Sequence, residues 1–367
     1  MKLNTATDQR IVMTLDAGGT NLKFSAIAGD KLLMDYIYVP TEAGNLERCL
    51  GNIVKGFEQV KAKLPAPPVA ISFAFPGPAD YPAGIIGDLP NLPAFRGGIA
   101  LGPMLQEKFQ IPVFINNDGD LFVYGEAIAG LLPAVNAALA QAGSPKRYHN
   151  LFGVTLGTGF GGGIVRDGEL FIGDNSGGGE AWLLRNKLDA NANAEEGCSI
   201  RAVRRVFAAK TGIAFDQSPE PKVIFDIGMG KAPGNQAAAV EAFRQLGEVA
   251  GDAIAQAVTL IDALVVVGGG VSGASALFLQ PLVDAMNDVY HKPGGDLRRL
   301  VQKTFNFEDA AQRAAFLKGD KREITVPGTS RKIAFDPMPR TAVGMSRLGT
   351  SEAVAIGAYA FALAKLR

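Results

Sequence analysis

The stretch LDAGGTNLKF, residues 15–24, places a glycine pair and a threonine between two apolar segments. Glycines permit the backbone of a tight turn, and the N–H groups of such a turn can point into one concavity that attracts anions. The stretch is therefore either a simple hairpin or a phosphate cradle. As a cradle, it would place four residues near the phosphates: Asp16, Gly18, Gly19 and Thr20. Asp16 could also hold a magnesium-bound water, whereas Lys23 on the outgoing strand is not expected to be a phosphate ligand.

A second stretch, LGTGFGGG at residues 156–163, repeats the order of strand, glycine with threonine, and strand. Its glycines fit G-x-G-x-x-G, but the Rossmann fingerprint must open a helix. Here IVRDGELFI follows and alternates like a strand. We therefore expect a second phosphate-binding hairpin with Gly157, Thr158 and Gly159 at the phosphates, and a weak internal duplication of the first.

A third glycine run, VVVGGGVSGA at residues 265–274, follows an apolar segment typical of a buried parallel strand. One interpretation is close packing between this strand and the next helix. The other is that Gly269 and Gly270 let the backbone approach a ligand or its phosphates at the helix start.

Polar residues follow the strand in FINNDGDLFVYGEA, residues 114–127. Asp118 could cap the next helix. Alternatively it could accept the proton of an attacking hydroxyl, with Asn117 holding a neighbouring hydroxyl. Two loops, GGGEAW at 177–182 and AEEGCS at 194–199, carry glutamates of the kind that bind polyols, although loop glutamates are usually only solvated.

Composition narrows the class of protein. Thirty-six basic residues balance thirty-six acidic ones, so no overall field attracts nucleic acid or an acidic membrane. Two cysteines are too few for a disulfide framework or a cysteine zinc cluster. The polar residues 1–10 are not expected to be a signal peptide, and we expect no membrane span because no run of about 18 apolar residues occurs. A soluble cytoplasmic protein is expected.

The periodicity predicts a mixed α/β chain, and the length of 367 residues predicts two domains. Early strands are expected at 11–15, 21–27, 31–39, 69–75 and 111–116, and helices at 46–64, 120–142, 235–262 and 350–366. The helix at 120–142 is expected to bend near Pro133. Residues 290–347, with a hairpin in REITVPGTSRKIAF, look like an appended region.

Two glycine–threonine hairpins, an Asn-Asp pair between them and a third glycine turn occur in this order along the chain. This set resembles the sugar kinases of the ROK family, within the actin-like ATPase superfamily, over roughly residues 11–283 and 348–366. The resemblance implies two RNase H-like α/β domains with an interdomain cleft. The smaller would comprise residues 1–118 with the C-terminal helix 350–367, and the larger 119–349 with an insertion at about 290–347.

The resemblance also implies roles for single residues. The two hairpins match the family's phosphate motifs, and Gly269 with Gly270 matches its adenosine motif. Asp118 matches the catalytic base. The matched sugar ligands are Asn91, Asn117, Asp118, Glu180 and Glu195. ATP and Mg²⁺ are the implied cofactors, and a homodimer is the implied assembly.

The sequence departs from the family pattern at its zinc site. Leu183 stands where the family has a histidine, and only Cys198 remains of the cysteine cluster. No structural zinc is therefore expected, and the lost histidine weakens the expectation of a glucose preference. Glu195 with Ser199 fits the pattern of members without zinc, with Glu196 as the alternative register.

The predicted activity is transfer of a phosphoryl group from Mg·ATP to a glucose-like hexose, at O6, with Asp118 as general base. A fructokinase or an N-acylhexosamine kinase is the alternative within the enzyme class. A non-catalytic sugar-binding regulator is the alternative outside it. The family's repressors carry an N-terminal helix-turn-helix, for which a first strand starting by Ile11 leaves no room.

Overall fold

The computed structural model describes residues 5–18, 20–89 and 92–366, so the predicted sites Gly19 and Asn91 lie outside the described residues. The strands are β1 Val12–Ala17, β2 Asn21–Ala28, β3 Lys31–Leu32, β4 Ile37–Pro40, β5 Ala70–Ala74, β6 Ala79–Asp80, β7 Ile85–Ile86, β8 Val113–Asn116, β9 Leu151–Leu156, β10 Phe160–Arg166, β11 Glu169–Leu170, β12 Leu264–Gly268, β13 Val289–Tyr290, β14 Leu297–Arg298, β15 Lys303–Asn306, β16 Arg322–Thr325, β17 Lys332–Phe335 and β18 Arg340–Met345. The helices are α1 Leu46–Lys61, α2 Leu101–Phe109, α3 Asp118–Ile128, α4 Leu131–Gln141, α5 Ile200–Thr211, α6 Pro221–Gly228, α7 Gln236–Ile261, α8 Ser275–Met286, α9 Ala310–Lys318 and α10 Thr350–Lys365.

The chain forms two compact units. Unit 1 takes the residues up to Ala129, the segment Glu169–Gly178 and the residues from Thr350 onward. Unit 2 takes Gly130–Gly168 and Gly179–Gly349. The predicted smaller domain ended at residue 118, whereas unit 1 also includes helix α3.

The main sheet of unit 1 has the order β3-β2-β1-β5-β8, and β4 also pairs with β2. Strand β1 runs antiparallel to β2 and parallel to β5, so it is central and its residues 12–15 are buried. Helix α1 covers the sheet through an apolar stripe that includes Phe57, whose ring lies 5.1 Å from that of Phe24 in an edge-to-face arrangement. Gly56 is needed in this contact, because a Cβ there would lie 2.3 Å from the Phe24 ring.

Helix α10 completes unit 1 by packing backbone to backbone against α3. A Cβ on Gly125 of α3 would lie 2.0 Å from the carbonyl oxygen of Ala353, and one on Gly357 of α10 would lie 2.0 Å from that of Leu121. The hydroxyl of Tyr359 in α10 also donates to the carbonyl of Asp8, at 2.7 Å. The glycines thus let the two helices meet at a distance that any side chain would prevent.

The single helix predicted at 120–142 is two helices. Helix α3 ends at Ile128 and α4 begins at Leu131, so the break falls at Gly130 rather than at Pro133. Pro133 lies in the first turn of α4, where a missing N–H costs nothing. The stretch Asp118–Gln141 has the length and apolar composition of a membrane span, but it contains this break, and 56% of its 18-residue apolar window is buried within the protein.

Unit 2 is built on a sheet in which β10, β9, β12, β18 and β15 are neighbours in that order. Strands β9, β12, β18 and β15 are parallel, and β10 closes an antiparallel hairpin with β9. Helices α7 and α8 lie against each other at Gly247 and Gly251, where a Cβ would come within 2.4 and 2.3 Å of carbonyl oxygens of α8. The core is therefore a tightly packed α/β layer.

Part of the region predicted as an insertion at about 290–347 belongs to this sheet. Strand β18 lies between β12 and β15, and both β15 and β18 carry buried residues. The prolines before β18 and the burial of both strands by partners far away in the chain hid them from the sequence pattern. The predicted hairpin within 322–335 is confirmed as β16 paired with β17, and both strands are exposed along their whole length.

Candidate active site

Unit 1 contains a cavity of about 450 Å³ whose walls include Asp16, Gly18 and Asp118. The parallel strands β1, β5 and β8 all end at this edge of the sheet, which is where α/β sheets usually bind ligands. Asp16 lies near the end of β1, and Asp118 lies just beyond the end of β8. The fold thus brings together two carboxylates that are far apart in the sequence.

Asn117, rather than Asp118, is the N-cap residue of α3. The Asn117 side-chain oxygen accepts the Gly119 N–H at 2.8 Å, while Oδ1 of Asp118 accepts the same N–H at 3.0 Å. Asn117 also donates to the hydroxyl of Tyr81 at 3.4 Å. Asp118 therefore occupies the first helical turn with its side chain at the cavity, where the helix N-terminus favours a negative charge.

Asp16 forms an ion pair across the hairpin. In the β1–β2 register it lies opposite Lys23, and the Lys23 Nζ is 2.9 Å from its Oδ2. This hydrogen bond and the charge of Asp16 raise the pKa of Lys23. Tyr36, another residue of the cavity wall, has a pKa raised by burial and further by the charge of Asp16.

The first glycine turn uses some of its polar backbone internally. The Gly18 N–H donates to the Asn21 carbonyl at 3.1 Å, and the Gly18 carbonyl accepts from the Thr41 hydroxyl at 2.6 Å. The Gly18 N–H therefore closes the turn, while Gly18 itself lies on the cavity wall and its place near the phosphates stays a prediction. The predicted ligand Thr20 is exposed, and its carbonyl accepts the Thr41 N–H at 3.0 Å.

The other two glycine motifs lie side by side in unit 2. The Val271 N–H donates to the Leu156 carbonyl at 2.9 Å, and a Cβ on Gly157 would lie 3.9 Å from the Gly270 nitrogen. Gly269 has a φ of +91°, and a Cβ there would lie 2.3 Å from the Leu156 carbonyl oxygen, so the position requires glycine. Close packing thus explains Gly269.

The second turn, with Thr158 at its tip, is closed by its own hydrogen bond. The Gly157 N–H donates to the Gly159 carbonyl at 3.0 Å, so this N–H is also engaged within the protein. Glu195, predicted as a sugar ligand, accepts the Phe160 N–H at 3.1 Å and a bond from Arg201 at 3.0 Å. In this structure Glu195 therefore supports the second glycine turn.

The remaining predicted sugar ligand of unit 2, Glu180, is exposed and accepts a hydrogen bond from the indole N–H of Trp182. Leu183, at the position of the family's histidine, is 59% exposed. Cys198 is buried, and its thiol donates to the Ala194 carbonyl.

Sequence reasoning missed four polar residues of the cavity wall: Thr14, Tyr36, Thr350 and Ser351. Thr350 and Ser351 begin α10, and adjacent Thr and Ser at a predicted helix start are the signal that could have drawn attention to them. Nothing in the local sequence marks Tyr36, which follows the short strand β3.

The donor set of the cavity suits a magnesium-bound nucleotide. Of the described residues that line it, Asp16 and Asp118 carry charge and none is basic. Carboxylate oxygens are the ligands that Mg²⁺ and its bound waters prefer. A polyphosphate beside two carboxylates needs a cation between them, and Mg²⁺ would supply it.

Comparisons with known proteins agree on one family. The ROK family model matches residues 12–317. A crystal structure of glucokinase from Parabacteroides distasonis is 54% identical, covers 99% of each chain and has a TM-score of 0.92. Glucokinase from Halalkalibacterium halodurans is 25% identical over 293 residues, which are 73% of this chain and 82% of that protein. N-acetyl-D-glucosamine kinase from Vibrio parahaemolyticus is 28% identical over 274 residues, 72% of this chain and 85% of that protein.

These matches cover both units, whose mixed α/β sheets correspond to the two-domain actin-like ATPase fold. The predicted resemblance is confirmed, and the chain belongs to the ROK family.

Proposed function

We propose that the protein is an ATP-dependent hexose kinase that acts on glucose at O6 in the cytoplasm. The observation that carries the proposal is the cavity of unit 1, which is lined by both Asp16 and Asp118. Sugar kinases need two such groups: one near the metal and phosphates, and one near the attacking hydroxyl. The names of the relatives support the reaction class.

In this proposal Asp118 is the general base. Its position in the first turn of α3 places the carboxylate at the cavity wall, so that it can accept the proton of the hexose hydroxyl as that oxygen attacks phosphorus. Asn117, held by its capping bond and by Tyr81, orients the neighbouring loop and a sugar hydroxyl. Positioning and electrostatics supply most of the acceleration in such reactions.

Asp16 is assigned to the metal side of the site, where it would hold a magnesium-bound water. Mg²⁺, when bound with ATP, neutralises charge on the phosphates. Thr350 and Ser351 place hydroxyls on the same cavity wall and are candidates for polar contacts with substrate. The glycine turns of unit 2 are assigned to the nucleotide, with Gly159 and Gly270 as backbone contacts.

Glucose is the proposed substrate because the glucokinase of P. distasonis is 54% identical over nearly the whole chain. N-acetyl-D-glucosamine is the second candidate, since a kinase for that sugar is 28% identical. Leu183 is the residue that leaves the choice open, because it replaces a family histidine.

The test is a steady-state assay of ADP release with glucose, N-acetyl-D-glucosamine, fructose and mannose, for the wild type and for Asp118→Asn. We expect glucose-dependent ADP release, and a kcat lower by about 10²–10⁴-fold in the variant with nucleotide affinity nearly unchanged. Asp80→Asn is the matched control, since Asp80 is not among the described residues that line the cavity and its side chain accepts a turn N–H from Ala83 at 3.1 Å. Wild-type turnover by Asp118→Asn would overturn the assignment of Asp118 as general base. If none of the four sugars caused ADP release, the result would favour the non-catalytic regulator.

A further inference from the structure

Lys23 and Asp16 form an ion pair on facing strands at the edge of the unit 1 cavity. The antiparallel register of β1 and β2 sets the two residues directly opposite each other, so both side chains emerge on one face of the sheet. The Nζ–Oδ2 distance is 2.9 Å. Asp16 lines the cavity, and Lys23 reaches it through Asp16.

The Lys23–Asp16 ion pair contributes little to the stability of the fold. The side chains of Lys23 and Asp16 are 42% and 56% exposed, and ion pairs this exposed contribute little to folding. Its position is more informative. Among the cavity-lining residues that the structure describes, the two charges are both negative, and Lys23 is the cation bonded to one of them.

Lys23 holds one oxygen of the Asp16 carboxylate. Its ammonium Nζ lies 2.9 Å from Oδ2. This bond orients the carboxylate, and Oδ1 would then be available to accept a hydrogen bond from a magnesium-bound water.

We propose that Lys23 is a positioning residue that orients the Asp16 carboxylate for the Mg²⁺ of Mg·ATP. This inference rests on the proposed kinase function and adds to it a residue that has no direct contact with substrate. Partners that orient the groups around a metal typically change metal affinity by 10–100-fold when they are removed.

The test compares Lys23→Met with Lys108→Met. Lys108 is a matched control because it pairs with Glu58 at 2.8 Å, with both side chains about half exposed and both outside the described cavity wall. Binding of Mg·ATP and of magnesium-free ATP is measured by titration calorimetry, and the Mg²⁺ dependence of turnover is measured by assay. We expect Lys23→Met to weaken Mg·ATP binding about 10-fold, to leave magnesium-free ATP binding unchanged, and to raise the Mg²⁺ concentration needed for half-maximal turnover. Lys108→Met should match the wild type.

Two further variants decide whether Lys23 acts through Asp16. Lys23→Arg should restore Mg·ATP binding to within about 3-fold, because it keeps the cation. The double variant Asp16→Asn with Lys23→Met should bind Mg·ATP no more weakly than Asp16→Asn alone. Two results would overturn this inference while leaving the kinase assignment intact. One is that Lys23→Met weakens Mg·ATP binding equally in the wild type and in Asp16→Asn. The other is that Lys23→Met binds Mg·ATP as tightly as Lys108→Met does. A wild type that binds Mg·ATP but phosphorylates no hexose would overturn the kinase assignment instead. The calorimetric comparison would still test whether Lys23 contributes to Mg·ATP binding.

Discussion

The two glycine hairpins, β1–β2 in unit 1 and β9–β10 in unit 2, share a frame but differ at one pair of positions. In each, the first strand is antiparallel to the second and parallel to the next strand inward, β5 or β12. Two residues before the first glycine of the turn, the first hairpin pairs Asp16 with Lys23. The second hairpin pairs Thr155 with Gly161 at the same place.

The difference shows that a repeated frame can serve two kinds of site. The first hairpin presents charge at the edge of a cavity. The second is organised by close backbone approach: a Cβ on Gly161 would lie 2.5 Å from the Thr155 hydroxyl, and one on Gly162 would lie 2.4 Å from the Gly179 carbonyl oxygen. We therefore expect substitutions of Asp16 or Lys23 in the first hairpin to change activity. Substitutions of Gly161 or Gly162 in the second hairpin are expected to change stability.

The sharpest test exchanges the equivalent residues Asp16 and Thr155 for near-isosteres. Asp16→Asn should lower kcat/KM by about 10²-fold, because a charge at the metal side of the site is lost. Its effect on stability should stay within about 1 kcal/mol, since the ion pair is exposed. Thr155→Val should change kcat/KM by less than about 3-fold. Steady-state kinetics on both variants measure this, and an equal loss in the two would show that the hairpins do not differ in role.

The second test adds a side chain where the second hairpin is tightest. Gly162→Val should lower the free energy of unfolding by about 3 kcal/mol, because the new side chain would overlap Gly179 and Ala181. Gly51→Ala is the control: it lies in α1, where a Cβ meets nothing within 4 Å, and should stabilise by about 0.5–1 kcal/mol. Urea denaturation followed by circular dichroism gives both values. A Gly162→Val variant as stable as the wild type would contradict the close approach.

The third test uses one buried cysteine in each unit. Burial raises the pKa of the Cys49 thiol to about 11, and burial with the nearby charge of Glu195 raises that of Cys198 well above its ordinary value. The thiolate is the reactive form, so neither cysteine should react with a disulfide reagent at pH 8 in the folded protein. Both should react in urea. In Cys49→Ser the remaining thiol, Cys198, reports the opening of unit 2, and in Cys198→Ser the remaining thiol, Cys49, reports the opening of unit 1.

The raised pKa of the Cys49 thiol also makes the stability of the fold depend on pH. Because folding raises the Cys49 pKa from 9.0 to about 11, its contribution to stability is complete below pH 9 and is lost as the pH rises through 11. Rapid labelling of native protein at pH 8 would show that the thiols are accessible.

Strand, helix and hairpin positions with strong periodicity were predictable from the sequence. Segments 21–27, 46–64 and 235–262 correspond to β2, α1 and α7, because each has one continuous apolar face. Strands β15 and β18 were not recognised, since their burial comes from neighbours far away in the chain. The break at Gly130 was missed because the bend was predicted at Pro133, and Gly130 was not considered as a helix end.

The site was predictable only as a set of motifs. Asp16 was found beside the glycine pair of the first turn, and Asp118 was found because it follows an apolar strand and precedes a helix. The pairing of Asp16 with Lys23 was missed, since it depends on the register of the hairpin and not on spacing along the chain. The internal use of the Gly18 and Gly157 N–H groups is likewise invisible before the turns are built.

Helix α10 gives unit 1 a particular order of assembly during synthesis. Its partner α3 and the sheet it covers leave the ribosome first, but the helix follows only after the whole of unit 2 has been made. Unit 2 can therefore fold while unit 1 still exposes the glycine faces of α3. The wall that carries Thr350 and Ser351 is the last to arrive, so an interrupted chain that lacks α10 would contain both aspartates without a finished cavity.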